Sequence, residues 1–206
     1  MQRYLMTHSL LSSWLYAMRE NPYGDMTTEP EDPLEDFKLV LNRQPTPTNE
    51  AMQNGIDFED MVTNILHGMY PPETDRWTAA AKEVACIIHP EALLQYKVSR
   101  EIVVDGMALV LYGRLDALHA GTIYDIKFSK SYDRGKYFDS TQHPTYMELL
   151  PTAERFMYVV SNGSEVWTET YRHDETRSII PVISDFLGWL NANDFIDTYK
   201  DKWKSQ

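Results

Sequence analysis

The chain has 206 residues, of which 43% are hydrophobic and 12% aromatic, a composition typical of an ordinary globular protein. Its formal net charge of −12 argues against a broadly basic surface for nucleic acid. No apolar run approaches the roughly 18 residues that span a bilayer, and the N-terminal segment lacks the cleavage site of a signal peptide. The single cysteine, Cys86, excludes an internal disulfide and a cluster held by four cysteines. We therefore expect a cytoplasmic protein with no membrane segment and no iron–sulfur cluster.

The first half of the chain has helical periodicity interrupted by prolines. Thr7 and Ser9 precede an apolar run, as at a capped helix start. Further helices are predicted from Pro33 through Leu41, from Glu50 to about His67, and from about Glu73 to Ile88. The polar residues 21–33, with three prolines, are predicted to form a loop.

Strand-like runs follow, and the predicted order is that of an α+β or mixed α/β single domain. Three strands, joined first at Asp105-Gly106, should form an antiparallel meander: Leu93 to Val104, Ala108 to Leu118, and Thr122 to Phe128. A helix from about Ser140 to Leu150, a second hairpin over 156–160 and 165–171, and C-terminal helices over 176–203 complete the chain.

The break at Ala120-Gly121 predicts a two-residue turn between the second and third strands. A turn centred there sets Asp116 opposite Asp125 and Arg114 opposite Lys127, all on one face of the hairpin. A slip of one residue would separate the two aspartates. The alternate side chains of the third strand should face the core: Tyr124, Ile126 and Phe128.

Asp-x-Lys alone is a weak signal, because many strand ends carry such a solvated ion pair. Here it is accompanied by Glu59 on an upstream helix and by Gln142 and Tyr146 at i, i+4 spacing downstream. With these partners the chain resembles the PD-(D/E)XK nuclease superfamily, and more closely its RecB-type and phage exonuclease branch. The matching segments are Gly55 to Glu59, Gly113 to Asp116, Asp125 to Lys127, and Gln142-x-x-x-Tyr146.

The resemblance implies a restriction-endonuclease-like core with the order αβββαβ, in which helices flank a central mixed sheet. The core covers about residues 50–172 of a single domain, 1–206, with helical additions at both ends. It also implies six catalytic residues: Glu59, Asp116, Asp125, Lys127, Gln142 and Tyr146. Mg²⁺ or Mn²⁺ would be held by Glu59, Asp116, Asp125 and the Ile126 carbonyl, with Asp60 as the alternative to Glu59.

Oxygen ligands suit these hard cations, which polarise a phosphate and make bound water more acidic. Lys127 would orient the attacking water or stabilise charge on the phosphate, and Gln142 with Tyr146 would support the site. The six histidines form no recognised metal motif and are predicted mostly at the surface, although His143 follows Gln142.

The expected function is that of a metal-dependent deoxyribonuclease, an exonuclease acting on linear or single-stranded DNA ends in phage or prophage recombination or DNA processing. A local basic segment would contact DNA phosphates through Arg114, Lys130, Arg134 and Lys136. The acidic chain should bind DNA weakly, with a recombination partner protein or a homo-oligomer offsetting this. A non-catalytic nuclease-fold binding or interaction module and a restriction-like endonuclease remain alternatives.

Overall fold

The computed structural model describes residues 2–18, 33–46 and 48–205. The helices are α1 (His8–Ala17), α2 (Pro33–Leu41), α3 (Glu50–Leu66), α4 (Thr78–Ile87), α5 (Gln142–Leu149), α6 (Ile180–Ala192) and α7 (Ile196–Lys202). The strands are β1 (Tyr4–Met6), β2 (Leu93–Val104), β3 (Met107–His119), β4 (Thr122–Phe128), β5 (Arg155–Ser161) and β6 (Val166–Arg172). Of the predicted loop 21–33, only Pro33 lies within the described residues.

A mixed sheet of six strands is the centre of the fold. β2, β3 and β4 form the predicted antiparallel meander, β4 and β5 are parallel, and β5 and β6 form the second hairpin. β2 pairs along nearly the whole of β3, while β1 and β4 pair with residues 109–111 and 117–119 of β3. Since a strand has only two edges, β1 and β4 share the second edge and leave a gap between them. The candidate site lies at this gap.

Helices cover both faces of the sheet, which completes a mixed α/β fold. On one face, α3 packs on β4 and α4 packs on β5 through a cluster that includes Phe58, Val84, Tyr124 and Ile126. Phe128 packs against the same cluster, so the prediction that these alternate residues of β4 face a core is confirmed. On the other face, α1, α5 and α6 cover the sheet through a larger cluster of buried side chains that includes Leu10, Leu111, Tyr146, Phe156 and Phe186. None of the helices in the described ranges is long and apolar enough to cross a membrane.

Most predicted elements are confirmed to within a few residues, and the predicted cap at the start of α1 is present. The Thr7 side chain accepts a hydrogen bond from the Leu10 N–H, and Asn49 caps α3 in the same way. The predicted start of the fourth helix at Glu73 is wrong, because residues 73–77 form turns and Trp77 has a φ of 72°. The three-residue strand β1 carries too short a pattern to have been predicted. The sequence order α-βββ-α-β is present as α3, β2, β3, β4, α5 and β5, with α4 in addition.

Candidate active site

The turn between β3 and β4 sets the relation of the two aspartates. Ala120 and Gly121 both have positive φ, 43° and 75°, as in the turns that best match the twist of a two-residue hairpin. The pairs His119↔Thr122 and Ala117↔Tyr124 confirm the predicted register as far as Ala117. The pairing of β3 with β4 ends there, so the predicted pairing of Arg114 with Lys127 is not present. The next position along this register brings Asp116 to Asp125.

At that position the ladder opens. The Ile126 N–H donates to Asp116 Oδ2 at 2.8 Å, so a side chain occupies the place of a backbone acceptor. On the other edge of β3, the register passes from Leu94↔Ala117 to Tyr96↔Leu115 and skips Gln95, whose φ is 51°. Irregular strand positions of this kind are common beside active sites, where they redirect a side chain.

Asp125 is held between α5 and its own strand. Gln142 Nε2 donates to Asp125 Oδ1, and the Lys127 ammonium lies 2.8 Å from Oδ2. Oδ2 is buried and receives no well-aligned hydrogen bond. The predicted association of Asp125, Lys127 and Gln142 is therefore present.

Glu59 reaches the same region from α3. Its Oε1 accepts a hydrogen bond from Gln95 Nε2 at 3.2 Å and lies 3.9 Å from Arg114 Nη2. Arg114 is thus directed to Glu59, and its backbone pairs with Lys97 of β2. Asp60 is exposed and lines a separate surface cleft with Met61 and Tyr70, so Glu59 is the helical carboxylate at this site.

Tyr146 closes the gap in the sheet edge. Its hydroxyl donates to the Arg114 carbonyl at 3.1 Å, and its ring lies so close to Gly113 that a Cβ there would be 2.1 Å from Tyr146 Cε1. Gly113 is therefore required at this position of β3 for the helix α5 to approach. Gly113 and Tyr146 belong to two different motifs in the sequence, and in the fold they contact each other directly.

Burial and the negative charges of neighbouring carboxylates affect the ionisation of the two aspartates at the site. Burial, then the charges of Asp125 and Glu59, raise the pKa of Asp116 well above its usual range. Burial also raises the pKa of Asp125, although Lys127 and Gln142 act in the opposite direction. The pKa of Lys127 is raised, because the attraction of Asp125 and Asp116 outweighs the effect of burial, so the lysine is charged at neutral pH.

Some residues at the site carry no sequence signal. His8, at the start of α1, lies near Tyr146 with ring centroids 5.6 Å apart, and burial followed by Lys127 lowers its pKa to about 4. Gln95 was predicted only as part of a strand. His143 does not enter the site: it is buried, hydrogen-bonded to Tyr158 and stacked on Tyr171. Only the fold brings His8 to Tyr146 and Gln95 to Glu59.

The predicted DNA-binding cations differ in their surroundings. Arg114, Lys130, Arg134 and Lys136 are all exposed. In addition, Lys136 Nζ donates to Ser129 Oγ at 2.5 Å and to the Ser131 carbonyl at 2.8 Å. The role of Lys136 as a phosphate contact stays a prediction. In the structure its ammonium forms hydrogen bonds within its own loop.

A second group of potential metal donors lies away from these residues. His89, Glu91 and His119 have donor atoms within 4.8 Å of one another. The three carboxylates of the candidate site, Glu59, Asp116 and Asp125, are not as close together as this in the described part of the chain. The two imidazoles are stacked 3.6 Å apart and only 2° from parallel. A cation in the plane of one ring would lie out of the plane of the other, so this arrangement as it stands does not suit two imidazole ligands.

Comparison with known proteins bears on the fold alone. No protein-family model and no curated protein matches the chain. Among solved structures the chain is similar to "Crystal structure of SSO0001", with a TM-score of 0.56 at 17% identity, over 93% of this chain and 79% of that chain. The likeness agrees with a mixed α/β architecture in which helices flank a central mixed sheet.

Proposed function

We propose that the protein is a metal-dependent deoxyribonuclease of the PD-(D/E)XK superfamily, of the RecB-type and phage exonuclease branch. The observation that carries the proposal is the opening of the β3–β4 ladder between Asp116 and Asp125, with Lys127 2.8 Å from Asp125 and Gln142 on its other oxygen. A strand edge with a purely structural role has no need for a buried carboxylate, Asp125, beside a half-buried one, Asp116, that repels it.

The residues at the site fit a hard divalent cation. Asp125 Oδ2 is buried beside the Lys127 ammonium, and burial together with the charges of Asp125 and Glu59 raises the pKa of Asp116, so a cation would remove a real electrostatic penalty. The donors are all oxygens, which suits Mg²⁺ or Mn²⁺. They would be Asp116 and Asp125, with Glu59 and the Ile126 carbonyl completing the protein's share. When bound, such a cation polarises the scissile phosphate and acidifies water.

The chain's own residues have separate tasks in this scheme. The protonated Lys127 places a positive charge beside Asp125, where it stabilises the charge that develops on the phosphate. Gln142 fixes the orientation of the Asp125 carboxylate through Oδ1. Tyr146 donates a hydrogen bond to the Arg114 carbonyl, and thereby holds the part of β3 that carries Asp116.

The proposed substrate is DNA with accessible linear or single-stranded ends. The exonuclease assignment depends on Gln142, which contacts Asp125 directly, and on Tyr146, whose buried ring packs in the core while its hydroxyl bonds the Arg114 carbonyl. A net charge of −12 opposes tight binding to a polyanion, so we propose that a recombination partner protein or a homo-oligomer supplies further affinity.

A second candidate is a non-catalytic interaction module on the same fold. In its favour, each carboxylate is turned toward its own protein donor: Ile126 for Asp116, Gln142 for Asp125 and Gln95 for Glu59. Side chains satisfied in this way could serve packing alone.

Calorimetric titration with Mn²⁺ separates the two candidates. The wild type should bind Mn²⁺ and Asp116→Ala should not. The matched control is Asp60→Ala, which removes a carboxylate of α3 that is exposed outside the site, and it should bind as the wild type does. A folded wild type that binds no Mn²⁺ favours the interaction module.

A further inference from the structure

A row of three residues crosses the sheet from the candidate site. The register pairs Asp125 of β4 with Tyr158 of β5, and Tyr158 with Glu169 of β6. Directly paired residues share a face of the sheet, and strands are roughly 4.8 Å apart. Glu169 therefore stands two strands from Asp125, about 10 Å away on the same face.

Glu169 is a buried carboxylate with an unusual number of donors. It is 8% exposed and accepts hydrogen bonds from the Tyr132 hydroxyl at 2.7 Å, from the Gly135 and Tyr137 N–H groups at 3.1 Å each, and from the Tyr171 hydroxyl. Burial alone would raise the pKa of Glu169, but these hydrogen bonds lower it. The carboxylate is therefore ionised at neutral pH.

Three of those four donors belong to the segment between β4 and α5, residues 129–138, which we call the basic loop. Within the loop, the Lys136 ammonium also donates hydrogen bonds to Ser129 Oγ and to the Ser131 carbonyl. Tyr137 stacks on Tyr158, the middle residue of the row, with ring centroids 4.3 Å apart. The loop is thus fixed to the sheet face that carries Asp125.

The other two cations of the basic loop, Lys130 and Arg134, are exposed. Because Glu169 determines where the loop lies, it also determines where these cations lie relative to Asp125. No long-range pattern in the sequence connects Glu169 with them. The connection follows from strand register and from the hydrogen bonds to one carboxylate.

We propose that Glu169 is a positioning residue that holds the basic loop beside the candidate site so that Lys130 and Arg134 bind backbone phosphates of DNA. This inference rests on the proposed nuclease function. A negative charge that was merely near the loop would weaken DNA binding by repulsion. An anchor has the opposite effect, so the sign of the change on neutralisation distinguishes the two roles.

The test compares Glu169→Gln with Glu165→Gln, which removes the same charge from the exposed turn of the same hairpin. A glutamine at position 169 would direct its amide NH₂ toward groups that are themselves hydrogen-bond donors, so some of the four hydrogen bonds to this side chain would be lost. Binding of labelled linear duplex DNA is measured in Ca²⁺ over a series of salt concentrations. We expect Glu169→Gln to bind about tenfold more weakly, with a log–log salt slope shallower by about 2, since each lost phosphate contact removes about 0.9. Glu165→Gln should bind as tightly as the wild type or more tightly.

Two further readouts establish the cause. Trypsin should cut Glu169→Gln faster than the wild type at Lys130, Arg134 or Lys136, and Mn²⁺ affinity should be unchanged because Glu169 makes no hydrogen bond to the candidate ligands. Tyr132→Phe keeps the ring and the net charge while it removes one loop bond. It should show a smaller loss of the same sign, and it serves if Glu169→Gln does not fold.

DNA affinity in Glu169→Gln equal to or above that of the wild type, with Tyr132→Phe also unchanged, would overturn the positioning role and leave the nuclease proposal standing. A wild type that binds Mn²⁺ but no DNA would overturn the DNA substrate, and the role of Glu169 with it.

Discussion

Replacing Gly113 with alanine should displace Tyr146 and destabilise the protein. The new methyl carbon would lie 2.1 Å from Tyr146 Cε1 and 2.9 Å from Cδ1, whereas carbon atoms in contact are about 3.5–4.0 Å apart. The ring is buried and stacked on Phe156, with centroids 5.7 Å apart. It therefore has to move by more than about 1 Å, which breaks the 3.1 Å hydrogen bond to the Arg114 carbonyl.

The magnitude follows from two terms. Overpacking of a well-packed core costs about 1–3 kcal/mol, and the lost hydrogen bond adds about 1 kcal/mol. The free energy of unfolding should fall by about 2–4 kcal/mol, which for this chain length lowers Tm by roughly 4–16 °C. Because β3 carries both Gly113 and Asp116, Mn²⁺ affinity should fall as well.

Scanning calorimetry with EDTA measures the first effect, and Gly55→Ala is the control. Gly55 lies in α3, and apart from the adjoining helix backbone no described atom lies within 4 Å of the position that an alanine methyl would take there, so alanine should stabilise the helix by up to about 1 kcal/mol. The two glycine variants should thus shift Tm in opposite directions. A Gly113→Ala protein within about 0.5 kcal/mol of the wild type would refute the close contact between β3 and α5.

Three further outcomes follow from the charges of the site. Asp116→Asn should raise the free energy of unfolding at neutral pH in EDTA, because the raised pKa of Asp116 means that its ionisation opposes folding. Thermal unfolding measures this effect, and a Tm below that of the wild type would contradict it. In EDTA the stability of the wild type relative to Asp116→Asn should fall as pH rises from about 4, since the raised pKa of Asp116 makes the folded state hold its proton more tightly than the unfolded state. Mn²⁺ affinity should rise over the same window, and pH-independent affinity in calorimetric titrations would contradict this reasoning. Lys127→Ala should retain Mn²⁺ binding but lose DNA cleavage, as measured with labelled DNA; full activity would remove Lys127 from the mechanism.

Local signals account for the part of the site that could be predicted from sequence. The turn at Ala120-Gly121 fixes the register of β3 and β4, so the approach of Asp116 to Asp125 follows from a two-residue pattern and strand alternation. Gln142 and Tyr146 are one helical turn apart, which places them on the same side of α5. Short-range geometry is sufficient for each of these steps.

Other parts depend on tertiary packing and could not be predicted. His8 approaches Lys127 because α1 packs beside α5, more than 100 residues away in the chain. The positive φ of Gln95 reflects the irregular β2–β3 pairing and not a glycine or asparagine signal. The net charge of the chain also could not predict that the Lys136 ammonium forms hydrogen bonds within its own loop.

The most direct test of the nuclease proposal is cleavage of end-labelled DNA. Purified protein is incubated with linear duplex, single-stranded and covalently closed circular DNA, each with Mg²⁺, Mn²⁺ or EDTA, beside Asp125→Ala and Lys127→Ala. We expect metal-dependent loss of DNA with free ends only, abolished in both variants. Cleavage of closed circles would support the endonuclease alternative. No cleavage of any substrate by a folded wild type that also binds no Mn²⁺ would contradict the proposed function.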